Sequence, residues 1–185
     1  MDIIVISCSL HPKSRSFILA QQVVADLAEQ GIEVPLFDLR EYDLPFCDAT
    51  EAYEAKDSQI MIKAIEEATA VLLAVPIYNY DVNAAAKNLL EIGLRAWNNK
   101  VVGFLCAAGG RASYMSPMIL ANSLMLDFRC LIVPRFVYTT GDDFGDDREP
   151  TMYIANEKIK VRVRELANAT ASLATMVHTN KWSIS

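Results

Sequence analysis

Short apolar runs alternate with longer stretches of helical periodicity along this chain. Runs rich in β-branched residues predict buried strands, and apolar residues recurring every three or four positions predict helices. The predicted strands are residues 2–6, 32–38, 70–75, 100–106 and 130–133. The predicted helices are residues 15–30, 58–68, 84–97, 112–128 and 151–178. This alternation indicates βαβ units, which build a mostly parallel sheet with helices on both faces.

The element order predicts one domain over residues 1–185, an α/β protein with a three-layer α/β/α sandwich. Two doubly wound strand orders are common, and a length of 185 residues favours a five-stranded parallel sheet in the flavodoxin-like order 2-1-3-4-5. In such sheets the ligand binds beside the carboxyl ends of the strands. The loops after the first, third and fourth strands are therefore the candidate site.

Local signals predict where several elements begin and end. Gly31 stands where a residue of positive φ usually follows a helix, and Ser58 is the predicted N-cap of the second helix. Pro76 is predicted to stop the third strand. The polar segment 39–57 is long for a connection and is predicted to be a surface excursion. The acidic segment 142–147 is predicted to be solvated surface.

Composition and charge narrow the classes of function. The formal net charge of −6 disfavours a nucleic-acid binder, because such proteins concentrate Lys and Arg. Apolar runs are too short for a bilayer, and no basic leader precedes the first strand, so we expect a cytoplasmic protein without membrane contact. The four cysteines and two histidines have no metal or redox spacing, which predicts free and mostly buried thiols and no metal site.

The loop after the first strand, residues 7–16, has the composition of a phosphate site. It contains hydroxyls and cations directly before a helix, whose N-terminus attracts anions. It has neither G-x-G-x-x-G nor G-x-x-x-x-G-K, which argues against a dinucleotide pyrophosphate and against a P-loop. The alternative is that Ser14 and Ser16 only cap the helix. The candidate residues are Ser9, His11, Ser14, Arg15 and Ser16.

The loops after the third and fourth strands suit a planar ligand. Tyr78 and Tyr80 beside Asn79 offer aromatic surface and polar groups, although they could equally cover the sheet edge alone. The Gly-Gly step in the other loop permits either close approach to a ligand or positive φ, although an ordinary turn is the alternative. The candidates are Pro76, Ile77, Tyr78, Asn79, Tyr80, Ala108, Gly109 and Gly110.

Together these loops resemble the NADPH-dependent FMN reductase family of flavodoxin-like proteins. Residues 8–20 are similar in spacing to that family's G-S-x-R-x-x-S-x-N-x-x-L-A, and residues 108–110 to its glycine-rich turn. Residues 76–88 follow its P-E-Y-N-G-S-x-P-G-x-L-K-N position by position, which is the most specific part. The resemblance spans most of the chain.

The resemblance implies an FMN cofactor, with NAD(P)H as the electron donor. Ser9, His11, Ser14 and Ser16 would hold the phosphate, with Arg15 contributing through its backbone or charge. Residues 76–79 would meet the isoalloxazine largely through main-chain groups, and Gly109 and Gly110 would approach its pyrimidine end. The chain departs from the pattern where the family's residues are replaced by Cys8, His11, Ser16, Ile77, Tyr80, Asn83 and Ala84.

The resemblance further implies an oxidoreductase in which NAD(P)H reduces FMN and the flavin then reduces a small-molecule acceptor. That acceptor would be a quinone, an azo or nitro compound, a metal oxyanion or free flavin. No catalytic side chain is assigned, because the cofactor carries the chemistry. Two alternatives stay open, an FMN-binding electron carrier without NAD(P)H turnover and a flavin-free binding domain. Relatives of this kind imply a homodimer or homotetramer.

Overall fold

The computed structural model describes residues 2–180, in which strands and helices alternate as predicted. The strands are β1 (Ile3–Ser7), β2 (Leu36–Asp38), β3 (Ala70–Tyr78), β4 (Asp81–Val82), β5 (Val101–Ala108), β6 (Leu131–Ile132), β7 (Val137–Thr139), β8 (Phe144–Gly145) and β9 (Tyr153–Ile154). The helices are α1 (Arg15–Ala28), α2 (Lys56–Glu67), α3 (Ala84–Gly93), α4 (Met118–Leu126) and α5 (Glu157–Asn180). Met1 and residues 181–185, which the single-domain prediction also covers, lie outside the described residues.

The main sheet has the strand order β2-β1-β3-β5-β6, with parallel pairing throughout this path. Since β5 and β6 occupy the places of the fourth and fifth predicted strands, the flavodoxin-like order 2-1-3-4-5 is confirmed. The short β4 adds an antiparallel partner to β3, and β7 extends the pairing along β5. The parallel register brings the carboxyl ends of β1, β3 and β5 to one edge of the sheet.

Apolar side chains cover both faces of the sheet and form two core clusters. One cluster packs α2, α3 and α4 against the sheet through residues such as Met61, Leu89 and Leu124. The other packs α1 and α5 on the opposite face through residues such as Val23 and Ala167. The three-layer prediction is therefore confirmed. No helix within residues 2–180 has both the length and the apolar content to cross a bilayer.

The prediction that Pro76 stops the third strand is wrong, because β3 continues to Tyr78. A proline has no backbone N–H, and this costs a sheet hydrogen bond only where a carbonyl of the neighbouring strand would have accepted from it. β1 pairs with β3 only as far as Ala74, and the carbonyl of Pro76 faces the same side, where it accepts from Asn83 N at 3.2 Å. The missing N–H therefore falls beyond the end of β1, and no sheet hydrogen bond is lost.

The predicted N-cap at Ser58 is also wrong. α2 begins two residues earlier, at Lys56, and the N-cap residue Ala55 provides no side-chain hydrogen bond. Ser58 lies inside the first turn, fully buried, and its Oγ has no hydrogen-bond partner within the described part of the chain. Ser58 therefore does not cap α2, and nothing in the described structure explains a serine at this position.

Two predicted helices are shorter than their periodicity indicates. The helix predicted over residues 84–97 ends at Gly93, where the next residue, Leu94, has a non-helical φ of 44°. The chain continues as a 3-10 turn, Leu94–Trp97, whose buried indole lies against Gly93. The helix predicted over 112–128 begins only at Met118. Pro117 precedes it, and the residue before a proline is disfavoured in helical geometry. Residues 111–113 form a separate 3-10 turn.

Other boundaries moved for similar local reasons. The second strand is paired only from Leu36, after Pro35, and the predicted fifth strand, 130–133, is shortened to β6, while β7, beyond Pro134, was not predicted. The last helix begins at Glu157 because the residues before it form β9, which pairs with β8. Gly31 does have positive φ, 75°, as predicted. The polar excursion 39–55 is held to α3 by Asn88, which accepts from Cys47 N and donates to the Pro45 carbonyl.

Candidate functional site

Three loops meet at the carboxyl ends of β1, β3 and β5 and enclose a cleft of about 610 Å³. A volume of this size suits a nucleotide-sized ligand. Twelve of the thirteen predicted site residues line it; His11 is the exception. The lining residues that were predicted are Ser9, Ser14, Arg15, Ser16, Pro76, Ile77, Tyr78, Asn79, Tyr80, Ala108, Gly109 and Gly110. Those that sequence reasoning missed are Ala107, Arg111, Ala112, Ser113 and Arg148.

Buried hydroxyls form one end of the cleft. Ser9, Ser14 and Ser16 are each at most 3% exposed yet line it. Ser14 is the N-cap of α1, since its Oγ accepts from Phe17 N at 3.1 Å, and it also lies 3.0 Å from Ser16 Oγ. Capping and phosphate binding are therefore compatible here, because the helix N-terminus still presents hydroxyl groups and partial positive charge to the cleft.

Arg15 is held by a carboxylate from the acidic loop. Its Nε and Nη2 donate to the two oxygens of Asp147 at 2.7 and 2.5 Å, and its Nη1 lies 3.4 Å from the Ala108 carbonyl. The hydrogen bonds from Arg15 lower the pKa of Asp147, and the same bonds raise the pKa of Arg15. Arg15 thus ties the first loop to the end of β5, with its charge balanced by Asp147.

The prediction that residues 142–147 are only solvated surface is wrong. Besides Asp147, the buried Asp143 accepts hydrogen bonds from Thr140 N and from Asn156 Nδ2. These carboxylates hold the loop that follows β7 against α1 and against the start of α5. Charge density alone suggested solvation, and only the tertiary contacts distinguish these two aspartates from their neighbours.

His11 lies outside the cleft lining. Its side chain is exposed, and its Nδ1 accepts a hydrogen bond from Lys13 N at 3.0 Å. The backbone N–H of His11 donates to Ser9 Oγ. In this structure the ring shapes the turn of the first loop. A contact of His11 with a phosphate stays a prediction.

The second loop is a tight hairpin between β3 and β4. Ile77 pairs with Val82 and Tyr78 with Asp81, which leaves Asn79 and Tyr80 as the two loop residues. Directly after it, the buried Asn83 donates from Nδ2 to the Cys8 carbonyl at 2.6 Å. This hydrogen bond fixes the second loop to the first.

The two glycines of the third loop leave open space beside the backbone and do not adopt positive φ. Neither Gly109 nor Gly110 has positive φ, and a Cβ at either position would meet no atom of the described chain within 4 Å. The loop is held from behind, because Tyr138 Oη donates to the Gly110 carbonyl at 2.5 Å and lies 2.7 Å from Ser113 Oγ. Both glycines line the cleft, and each leaves open space beside its backbone.

Two arginines of the cleft were missed for different reasons. Arg111 is exposed and follows the Gly-Gly step, so the sequence offered a signal that was not used. Arg148 lies far along the chain and reaches the cleft because its Nη1 donates to the Lys13 carbonyl at 2.6 Å. No local pattern predicts that contact. Both cations add positive charge to the site of an acidic protein.

The cysteines are unpaired and mostly buried. All four cysteines are free, and Cys8, Cys106 and Cys130 are buried, as predicted. Burial raises the pKa of Cys8 and Cys130 to about 12 and also raises that of Cys106, so these thiols stay protonated at neutral pH. No cluster of three metal-ligating side chains occurs in the part of the chain that the structure describes.

The strand order and the cleft at the carboxyl ends of the strands define a flavodoxin-like protein with a site at the topological switch point. The chain belongs to the NADPH-dependent FMN reductase family, whose model matches residues 1–144. The resemblance seen in the three loops is confirmed. Family membership assigns the chain to the oxidoreductases, with FMN as cofactor and a nicotinamide nucleotide as electron donor.

Individual relatives agree with this assignment. The chain is 27% identical over 162 residues to an NAD(P)H-dependent FAD/FMN reductase of Geobacillus thermodenitrificans, covering 83% of each protein. It is 26% identical over 157 residues to an FMN-dependent NADPH-azoreductase of Staphylococcus saprophyticus, covering 82% of this chain and 83% of that one. The flavoenzyme NAD(P)H:(acceptor) oxidoreductase FerB from Paracoccus denitrificans has the same fold, with a TM-score of 0.73 at 20% identity over 95% of this chain and 97% of that one.

Proposed function

We propose that this chain binds FMN in the cleft and passes electrons from NAD(P)H to a small-molecule acceptor of the quinone, azo, nitro, metal-oxyanion or free-flavin type. The convergence of the three loops on one cleft is the observation that carries the proposal. Azo compounds enter this set also because one relative is an azoreductase.

The residues present fit FMN at both ends of the cleft. Ser9, Ser14 and Ser16 would hold the phosphate at the N-terminus of α1, where hydroxyls and backbone N–H groups are concentrated. The space above Gly109 and Gly110 would admit the edge of a flat ring against their backbone. Residues 76–80 would form the wall along that ring.

The chain's own residues would bind and orient rather than transfer protons. The described lining of the cleft contains no Asp, Glu, His or Cys side chain, so its serines and tyrosines have no carboxylate or imidazole in the lining to activate them. When bound, FMN supplies the hydride and electron chemistry itself. The protein would contribute hydrogen bonds from main-chain groups, a wall that limits water, and positive charge from Arg111 and Arg148.

Replacement of Gly110 by Leu tests the placement of the ring. A Cβ at Gly110 would meet no protein atom within 4 Å and the position lines the cleft, so we expect the leucine to extend into the cleft and leave the fold unchanged. We expect Gly110→Leu to raise the FMN dissociation constant about 10- to 100-fold, with Gly110→Ala intermediate. Titration followed by flavin fluorescence measures it. Wild-type FMN affinity in Gly110→Leu, with an unchanged melting temperature, would refute the placement.

A second experiment separates the enzyme from an electron carrier. The FMN-loaded protein is mixed anaerobically with NADH or NADPH, and the flavin absorbance is followed before and after a quinone is added. We expect bleaching by the nucleotide and recovery on addition of the quinone. A flavin that nicotinamide nucleotides leave oxidised would favour the carrier.

We also propose that the chain assembles as a homodimer or homotetramer through α4. This helix carries apolar residues on its buried face, such as Leu120 and Leu124, and also on its exposed face. Ile119 and Leu126 are 55% and 75% exposed, and Met115 just before the helix is 63% exposed. A helix that is apolar on all sides is typical of one that is covered by another surface.

A further inference from the structure

The hairpin of the second loop holds a tyrosine in a backbone conformation that tyrosine disfavours. The two loop residues, Asn79 and Tyr80, have φ angles of 51° and 62°. Positive φ at both positions is the signature of the two-residue hairpin turn that prefers Asn followed by Gly. Asn79 suits the first position, whereas Tyr80 places a bulky side chain where glycine would be unstrained.

Nothing in the surrounding protein accounts for the choice of tyrosine. The side chain of Tyr80 is 66% exposed, and it makes no hydrogen bond or ring contact within residues 2–180. It therefore adds little to the core, while the left-handed backbone costs stability. Backbone strain of this kind is concentrated at ligand-binding sites, where a function retains it.

The location of the ring indicates what that function is. Tyr80 lines the cleft beside Tyr78, which is 50% exposed and whose hydroxyl equally has no hydrogen-bond partner among the described residues. The bond from Asn83 to the Cys8 carbonyl anchors the base of this hairpin, so the rings project from a fixed support. Exposed aromatic rings on a rigid turn are suited to stack on a planar ring.

We propose that Tyr80 is a specificity-determining residue that stacks on a planar aromatic ring in the cleft, so that the site prefers flat aromatic acceptors to acceptors without a ring. The inference rests on the proposed function, because it requires FMN in the same cleft. Stacking on the ring of the acceptor would affect the KM of the acceptor, whereas stacking on the flavin would affect the FMN dissociation constant.

The test compares Tyr80→Gly with Tyr80→Phe in the FMN-loaded protein. Tyr80→Gly removes both the ring and the strain, whereas Tyr80→Phe keeps both. We expect Tyr80→Gly to raise the melting temperature by about 2 to 4 °C although it removes a side chain. We expect it to raise the KM for menadione, a planar quinone, about 3- to 10-fold more than the KM for ferricyanide, with the FMN dissociation constant of the same variant measured beside them. Tyr80→Phe, which keeps the ring, should keep the wild-type ratio of the two KM values.

The outcomes distinguish the source of the ring and decide the inference. A higher melting temperature with a higher menadione KM supports the proposal. A higher FMN dissociation constant with an unchanged menadione KM assigns the ring contact to the flavin and overturns the preference for flat acceptors. A lower melting temperature, or constants that stay unchanged, overturns the inference while FMN binding by the wild type stands. If the wild type takes up no FMN, the proposed function fails and the stacking role fails with it.

Discussion

Arg15 illustrates how a charged residue acquires its role at the scale of single side chains. In the sequence it is one cation in a serine-rich loop before a helix. In the structure its guanidinium bonds both oxygens of Asp147, more than 130 residues away, and approaches the Ala108 carbonyl. Bidentate pairs of this geometry are among the stronger polar contacts in proteins. Arg15 therefore positions two loops of the cleft.

Asp147→Asn tests this contact through pH. Because hydrogen bonds from Arg15 lower the folded pKa of Asp147, the pair contributes stability above the unfolded pKa, about 3.9, and loses it as pH falls through the lower folded value. We expect Asp147→Asn to lower the free energy of unfolding by about 1 to 2 kcal/mol at pH 7. The difference from wild type should narrow as urea unfolding is repeated toward about pH 3.

Asp142 provides the matched control for that experiment. It lies in the same acidic loop, is exposed, and acts on Arg15 only as a nearby charge. Asp142→Asn should change the free energy of unfolding by no more than about 0.5 kcal/mol. Equal losses in the two variants, or a loss in Asp147→Asn that does not depend on pH, would contradict the role given to the pair.

At the scale of elements, two serines near helix starts have opposite roles. Ser14 caps α1 through Phe17 N, whereas Ser58 lies inside α2 with a buried hydroxyl that has no partner in the described chain. A serine thus stabilises the start of α1, whereas in α2 the unsatisfied buried hydroxyl of a serine is unfavourable for stability. What separates them is where the backbone begins to turn, at Arg15 in one case and at Lys56 in the other.

Alanine substitutions should reveal this difference directly. We expect Ser14→Ala to lower the free energy of unfolding by about 1 kcal/mol, because the Phe17 N–H loses its acceptor. We expect Ser58→Ala to leave it unchanged or to raise it, by at most about 1 kcal/mol, because a buried unsatisfied hydroxyl is removed. Both are measured by urea unfolding without added FMN. A clear loss in Ser58→Ala would restore its predicted role as a cap.

At the scale of the whole molecule, the exposed apolar residues around α4 distinguish one face. The net charge of −6 keeps much of the surface polar, yet Met115, Ile119 and Leu126 leave apolar area exposed on α4 and just before it. Arg111 lines the cleft, and Tyr114 follows it shortly before α4 begins. An assembly through α4 would therefore place its interface next to the site.

Ile119→Lys tests the proposed interface. A lysine there should be tolerated by the isolated chain, since the side chain is 55% exposed, but would bury a charge in an interface. We expect analytical ultracentrifugation to show the wild type as a dimer or tetramer and Ile119→Lys shifted toward monomer. Val161→Lys on α5, at 58% exposure, is the control and should keep the wild-type mass. A monomeric wild type would refute the assembly.

Several features of this protein could be predicted from the sequence because they depend on local periodicity. Strands such as β1 and β5 are continuous apolar runs, and α1 has apolar residues at helical spacing, so the three-layer fold follows from the order of elements. The loops of the cleft could be predicted for the same reason, because they necessarily follow the carboxyl ends of the strands.

The tertiary structure decided the features that depend on distant contacts. Pro76 continues a strand because β1 has already ended, and Asp147 binds Arg15 because the loop after β7 folds back onto α1. Arg148 reaches the cleft through the Lys13 carbonyl, which no spacing in the sequence indicates. The strain at Tyr80 likewise became visible only from the backbone angle and the hairpin register. Periodicity is a local property of the chain, whereas hydrogen-bond partners are set by which distant segments the fold brings within about 3 Å of each other.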